Sequence, residues 1–204
     1  MTGEPGGWDD LRLLDALIAG DKGAGDVLLQ RYYGILYRFF ANKVATEIDD
    51  LVQQTMAALL TSCDRFERRS TFRAYLLSIA RYQLYEFVRR KQRANAVLEY
   101  DAVSAFDLSP SPSTLASQRR EQTLLLEALR RVPLNFQIAL ELHYWEDLSG
   151  AELADVLGVP VDTAYSRLRK GRSMVKRQLR ILSASRRSEP PAALERALRA
   201  VSKG

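Results

Sequence analysis

The stretch from Leu142 to Arg180 constrains this chain more than any other. Ser149-Gly150-Ala151-Glu152 has the form of a capping box. A serine hydroxyl can take a free N–H at a helix start, and a glutamate three residues on can reach back to the cap's own N–H. Leu153, Val156 and Leu157 lay an apolar stripe on one side, and Gly158 suits the positive φ that ends many helices. Val159-Pro160-Val161-Asp162 reads as a turn. The spacing predicts a second helix over Thr163–Arg172, carrying Tyr165, Ser166, Arg167, Arg169, Lys170 and Arg172. This is the layout of a helix-turn-helix, whose second helix enters the DNA major groove.

The net charge of +5 is modest, but it is concentrated in Arg81–Arg93 and Arg167–Arg180. A localised basic patch is the electrostatic footprint of a polyanionic partner. The alternative is two solvated helix faces. Cys63 is the single cysteine, so no intrachain disulfide can form; a small, partly buried apolar role is expected for it. No signal-peptide pattern opens the chain, and no apolar run approaches the ~20 residues a membrane span needs. A cytoplasmic protein without membrane insertion is expected.

Periodicity predicts an all-α fold of two small helical domains joined by a flexible linker. A first helix is expected over Asp9–Ala19, burying Leu11, Leu14, Leu17 and Ile18. A second, Gly25–Val44, would bury Leu28, Tyr32, Ile35, Leu36 and Phe39. A third spans Asp49–Ser62 and a long fourth Thr71–Arg93, with Phe72, Leu76, Ile79, Ala80 and Phe87 on one side. The first domain is thus 9–93. From 94 to 117 periodicity fades, and Leu108-Ser109-Pro110-Ser111-Pro112-Ser113 has linker composition. The second domain is 118–182, with helices over Glu121–Val132 and Asn135–Tyr144 before the helix-turn-helix. In the 183–204 tail, Leu194, Leu198 and Val201 suggest a short amphipathic helix.

The fourth helix mixes Arg81, Arg89, Arg90, Lys91 and Arg93 with Tyr75, Tyr82 and Tyr85. Basic groups track phosphates and aromatic faces stack on exposed bases, a mixture suited to melted DNA. The alternative makes the tyrosines core or boundary residues, Tyr75 first among them. Catalysis finds little support. His143 is the lone histidine and sits among Leu142, Tyr144 and Trp145, where packing or capping is the expected role. No glycine-rich phosphate loop or zinc spacing occurs, so no cofactor, metal or catalytic residue is expected.

Asp49-Asp50-Leu51-Val52-Gln53-Gln54, Asp64-Arg65-Phe66, Ser70-Thr71-Phe72-Arg73-Ala74-Tyr75-Leu76 and Ile79-Ala80-Arg81 together resemble region 2 of sigma factors. Ala128-Leu129-Arg130-Arg131-Val132-Pro133, Leu148 to Ala154, Leu157-Gly158-Val159-Pro160 and Ser166-Arg167-Leu168 resemble region 4. In this order they are similar to the extracytoplasmic-function class of the sigma-70 family, which has these two domains and a linker. The resemblance implies a transcription initiation factor rather than an enzyme. It would bind core RNA polymerase at the β′ clamp helices and the β subunit flap, and promoter DNA. An anti-sigma factor is a further partner the class allows. Asp49, Asp50, Gln53, Gln54 and Ala57 would face polymerase, with Leu51, Thr55, Met56, Leu59 and Leu60 more core-like. Arg65, Phe66, Arg68, Arg69, Ser70, Thr71, Tyr75, Arg81 and Tyr82 would engage the melted −10 element. Thr163, Tyr165, Ser166, Arg167, Arg169, Lys170 and Arg172 would read the −35 element. Tyr75 stands where the class usually has tryptophan, and Tyr82 where asparagine is common. The 183–204 tail has no counterpart in the minimal architecture.

Two other readings compete. A stand-alone helix-turn-helix regulator would bind duplex DNA tightly without polymerase, as a dimer. A helical interaction protein would titrate a partner and support no transcription. The paired domain pattern speaks against both.

Overall fold

The computed structural model describes residues 7–95, 104–105, 120–186 and 194–201. Its described residues form nine α-helices and one turn of 3₁₀ helix, without a strand. In the first domain these are α1 (Asp10–Ile18), α2 (Lys22–Ala41), α3 (Ile48–Ser62) and α4 (Phe72–Asn95). In the second they are α5 (Arg120–Arg130), α6 (Leu134–Tyr144), α7 (Gly150–Leu157) and α8 (Val161–Arg186), followed by α9 (Leu194–Val201).

Local signals account for the helix starts. Asp9 accepts from the Arg12 amide at 2.8 Å and caps α1; Asp21 accepts from Ala24 at 3.2 Å and caps α2. Gly20, at φ +95°, makes the turn between them. On α2 the buried residues Leu28, Tyr32, Leu36, Phe39 and Phe40 recur at helical spacing. α1 departs from expectation. Leu13 and Leu14 are buried, whereas Leu11 and Ile18 are 39% and 46% exposed. The Asp9 cap sets the helix phase so that the Leu13–Leu14 side meets α2. On α3, Leu51, Val52, Thr55 and Leu59 are buried, Met56 is half-buried, and Leu60 points outward at 56% exposure. Cys63 is buried, its thiol 3.5 Å from the Leu60 carbonyl.

α6 is the axis of the second domain, with Ile138, Ala139, Leu140 and Leu142 fully buried. α5 and α7 flank it and α8 crosses it. A Cβ on Gly171 would lie 3.2 Å from Leu140 and 3.3 Å from Phe136, so the glycine sets how closely α8 approaches α6. α8 extends well past Arg172 and past the expected domain end at 182, and Ser183 is buried. Its inward residues Leu168, Val175, Leu179 and Leu182 keep helical spacing to that point. Within 94–117, α4 continues to Asn95. Residues Ser104 and Ala105, expected to be linker, are buried, with Ser104 paired to Pro133.

The domains pack on each other, chiefly α4 against α7. Among the described residues no helix is long and apolar enough to cross a membrane.

Candidate nucleic-acid interface

The capping box forms as expected. The Glu152 amide donates to Ser149 Oγ at 3.3 Å, and Glu152 Oε2 accepts from the Ser149 amide at 2.9 Å. The Ser149 hydroxyl and amide hold the Glu152 carboxyl below its ordinary range. Gly158, at φ +63°, ends α7 and lets the Val159 amide reach the Ala154 carbonyl at 3.1 Å. The turn is shorter than expected, since Val161 and Asp162 already belong to α8. Asp162 in the first turn complements the helix dipole. Ser149→Ala should cost about 1 kcal/mol, read as a lower denaturation midpoint. A carboxylate with a depressed pKa stabilises above its unfolded pKa. The Glu152 contribution should therefore be present at neutral pH and be lost as pH falls below about 4.5.

Ala164, Leu168, Gly171 and Val175 face inward on α8. Opposite them lie half-buried Ser166 and exposed Arg169, Lys170, Ser173, Arg177 and Arg180. Arg177 and Arg180, which lie in the basic run Arg167–Arg180 but not among the residues assigned to the −35 element, extend the basic face along α8. Thr163 is half-buried. Tyr165 is 54% exposed and lies over Gly150, where a Cβ would come within 2.2 Å of its hydroxyl. Arg167 and Arg169 are two residues apart, about 200° around a helix. The structure therefore does not bring them onto one face; Arg167 is on a half-buried flank. Arg172 lies on the opposite flank, paired with Glu195 at 2.5 Å.

In the first domain, Asp50, Gln53 and Ala57 are exposed on α3 and Gln54 is half-buried. Asp49 accepts from the Tyr33 hydroxyl at 2.8 Å, and Gln54 accepts from Arg90 at 3.4 Å. In the loop before α4, Arg65, Arg68 and Arg69 are exposed and Ser70 is half-buried. Arg68 adopts φ +57° and pairs with Asp15; Arg69 pairs with Glu67 at 2.9 Å. Tyr75 donates to the Ser62 carbonyl at 2.9 Å and stacks on Phe66 at 4.5 Å. Both half-buried rings brace the loop from within the first domain, which is the packing alternative read for Tyr75, whereas the resemblance places both residues on the −10 strand. Tyr82 is 61% exposed.

Thr71 and Arg81 face the second domain. Thr71 caps α4 through the Ala74 amide and donates to Glu152 at 3.0 Å. Arg81 reaches the Val156 carbonyl at 3.4 Å and covers the Tyr85 ring. Arg73 pairs with Glu146 at 2.5 Å. Beside them is an open cleft of about 680 Å³ lined by Arg69, Ser70 and Thr71, but also by Asp9, Asp10, Glu152 and Asp155. Deeper in the interface Lys43 is fully buried against Glu141, which also accepts from Asn42 at 2.7 Å and Gln137 at 2.8 Å. Burial lowers the Lys43 pKa from its ordinary value, against the pull of Glu141. The sequence did not single out Lys43 or Glu141, because partners 98 positions apart carry no local signal. His143 faces the Leu148 carbonyl at 3.1 Å, a packing role as expected.

Residues 27–94 match the family model for Sigma-70 region 2, and residues 122–175 match that for Sigma-70 region 4. The chain belongs to the extracytoplasmic-function class of the sigma-70 family. Over 178 residues this sigma factor is 23% identical to the ECF RNA polymerase sigma factor SigW of Bacillus subtilis, an alignment covering 77% of this chain and 87% of the relative. It is 24% identical to the ECF RNA polymerase sigma-E factor of Haemophilus influenzae, covering 85% and 96%. To the ECF sigma factor SigE of Mycolicibacterium smegmatis it is 32% identical, covering 72% and 56%. Two solved structures share the fold. One is the sigma factor RpoE in complex with the anti-sigma factor NepR from Bartonella quintana, with a TM-score of 0.58, 22% identity, and 75% and 94% coverage. The other is CnrH in complex with the cytosolic domain of CnrY, with a TM-score of 0.62, 21% identity, and 84% and 97% coverage.

Proposed function

We propose that this alternative sigma factor works by presenting three separate surfaces. The exposed face of α3, with Asp50, Gln53 and Ala57, docks on core polymerase, while Asp49 and Gln54 brace that face from its edges. The 65–71 loop, Arg81 and Tyr82 hold the melted −10 strand. The outward face of α8, centred on Ser166, Arg169 and Lys170, reads the −35 duplex. The factor acts with polymerase in the cell interior, and like the rest of its family it contributes binding energy, not bond chemistry. An anti-sigma factor is a fitting regulator, since RpoE, which shares the fold, is a sigma factor in complex with the anti-sigma factor NepR.

One observation carries this reading: two chemically different nucleic-acid surfaces occur in one chain. α8 offers a basic, convex helix face of major-groove type. The 65–82 segment offers arginines beside an exposed tyrosine, suited to unstacked bases. The named positions of the two elements are about 25 base pairs apart, roughly 85 Å at ~3.4 Å per pair. Thr71 and Glu152 stand 3.0 Å apart in the packed form, so the domains must separate to read both elements. Polymerase, by holding the domains apart, is the natural agent.

The dock is tested by Asp50→Lys combined with Gln53→Ala. Both side chains are exposed, so helix content by circular dichroism should be unchanged. Affinity for core polymerase should fall at least tenfold. Wild-type affinity in the double variant would remove α3 from the dock.

A further inference from the structure

The short helix α9 is seated on the second domain, packed on α5 and α6. Leu194 and Leu198 are buried, at 6% and 1% exposure. Three polar contacts fix its register. The Trp145 indole donates to the Leu198 carbonyl at 2.9 Å. Arg199 pairs with Asp147 at 2.6 Å and lies over the Tyr144 ring. Glu195 pairs with Arg172 of α8 at 2.5 Å. An eight-residue helix is too short to stand alone, so these contacts are what order it.

The Arg172–Glu195 contact matters because Arg172 is on the helix assigned to the −35 duplex. We infer that residues 194–201 are a built-in ligand of the second domain that competes with promoter phosphate for Arg172. While α9 is seated, the Arg172 guanidinium is neutralised. Glu195, 62% exposed, also sets a carboxylate beside the basic face, where it repels the DNA backbone. When α9 leaves, one cation is added to the interface and one anion withdrawn. Exposed ion pairs are weak, so the exchange is reversible. The inference rests on the reading of α8 as the DNA helix.

The test uses a short labelled duplex of randomised sequence, because phosphate contacts are indifferent to sequence. Truncation after Arg186 removes α9 but also uncovers apolar surface. Glu195→Ala in the full chain frees Arg172 while keeping Leu194 and Leu198 in place. Both should tighten binding about three- to tenfold. The log K against log salt slope should steepen by about 0.9, one phosphate's worth. Arg172→Ala added to Glu195→Ala should erase the gain. If Lys170→Ala weakens binding but Glu195→Ala and the truncation match wild type in affinity and slope, α9 does not compete with DNA. If Lys170→Ala, Arg169→Ala and Arg172→Ala all leave binding unchanged, the assignment of α8 itself falls, and this inference with it.

Discussion

Replacing Glu141 with alanine should part the two domains without unfolding either. Glu141 is 3% exposed and is the carboxylate partner of Lys43, which has no exposure at all. Removing one member of a buried pair costs about 3–5 kcal/mol because the other charge is stranded. Here the stranded lysine has a way out. It lies between domains, so it regains water when they separate. The cost should therefore appear as a shift of at least ~100-fold toward the parted form, not as global unfolding. The interface is already imperfect. Among the described residues, Asn42 Oδ1, Gln137 Oε1, Arg73 Nε and Arg81 Nε are buried without a hydrogen-bond partner. Each such group costs about 1–3 kcal/mol while dry and recovers it on opening. Fluorophores at the exposed positions Leu29 and Ile181 would report the separation by energy transfer. A longer distance with unchanged helix content is expected. An unchanged distance with a lower melting temperature would mean that the domains share one inseparable core.

The second large effect is at Arg169. It is exposed on the outward face of α8, beside Ser166 and Lys170. An arginine that pairs bidentately with guanine contributes about 1–3 kcal/mol of discrimination. Arg169→Ala should thus weaken the preferred duplex about five- to 100-fold and relax one base position in binding selections. Arg167→Ala should behave differently. Its flank position favours backbone contact, so all sequences should weaken alike, with a shallower salt slope. An unchanged selected sequence for Arg169→Ala would remove it from base reading.

Local signals in the sequence foretold local structure. The Ser149–Glu152 box and Gly158 are written within single turns, and both helix ends form there as read. The buried spacing of α2 was equally legible, because helical periodicity announces a packed face; a tyrosine does not, since Tyr75 packs under the loop while Tyr82 on the same helix is 61% exposed. On α1, Leu11 to Ile18 offers several possible stripes, and the neighbouring helix, not α1 itself, chooses Leu13 and Leu14. α8 runs past the expected Arg172 because the inward series Val175, Leu179 and Leu182 continues beneath its basic residues. The docking of the domains could not be read at all. Lys43 looks like a surface lysine and Glu141 like a helix-face glutamate until the fold brings them together. The same holds for Thr71 and Arg81, whose residue types suit DNA but whose resting partners lie on α7.

The central claim is that this chain directs polymerase to promoters through two elements read together, and binds duplex DNA only weakly without polymerase. It is tested by transcription in vitro from a promoter library, using purified chain with core RNA polymerase, alongside a duplex-binding assay without polymerase. Transcripts should appear only with both proteins, from templates sharing two motifs about 25 base pairs apart, roughly 85 Å of duplex. Binding by the chain alone should be weaker than by the complex. Absence of any specific transcript, or equally tight and specific duplex binding without polymerase, would contradict the account and favour a stand-alone regulator.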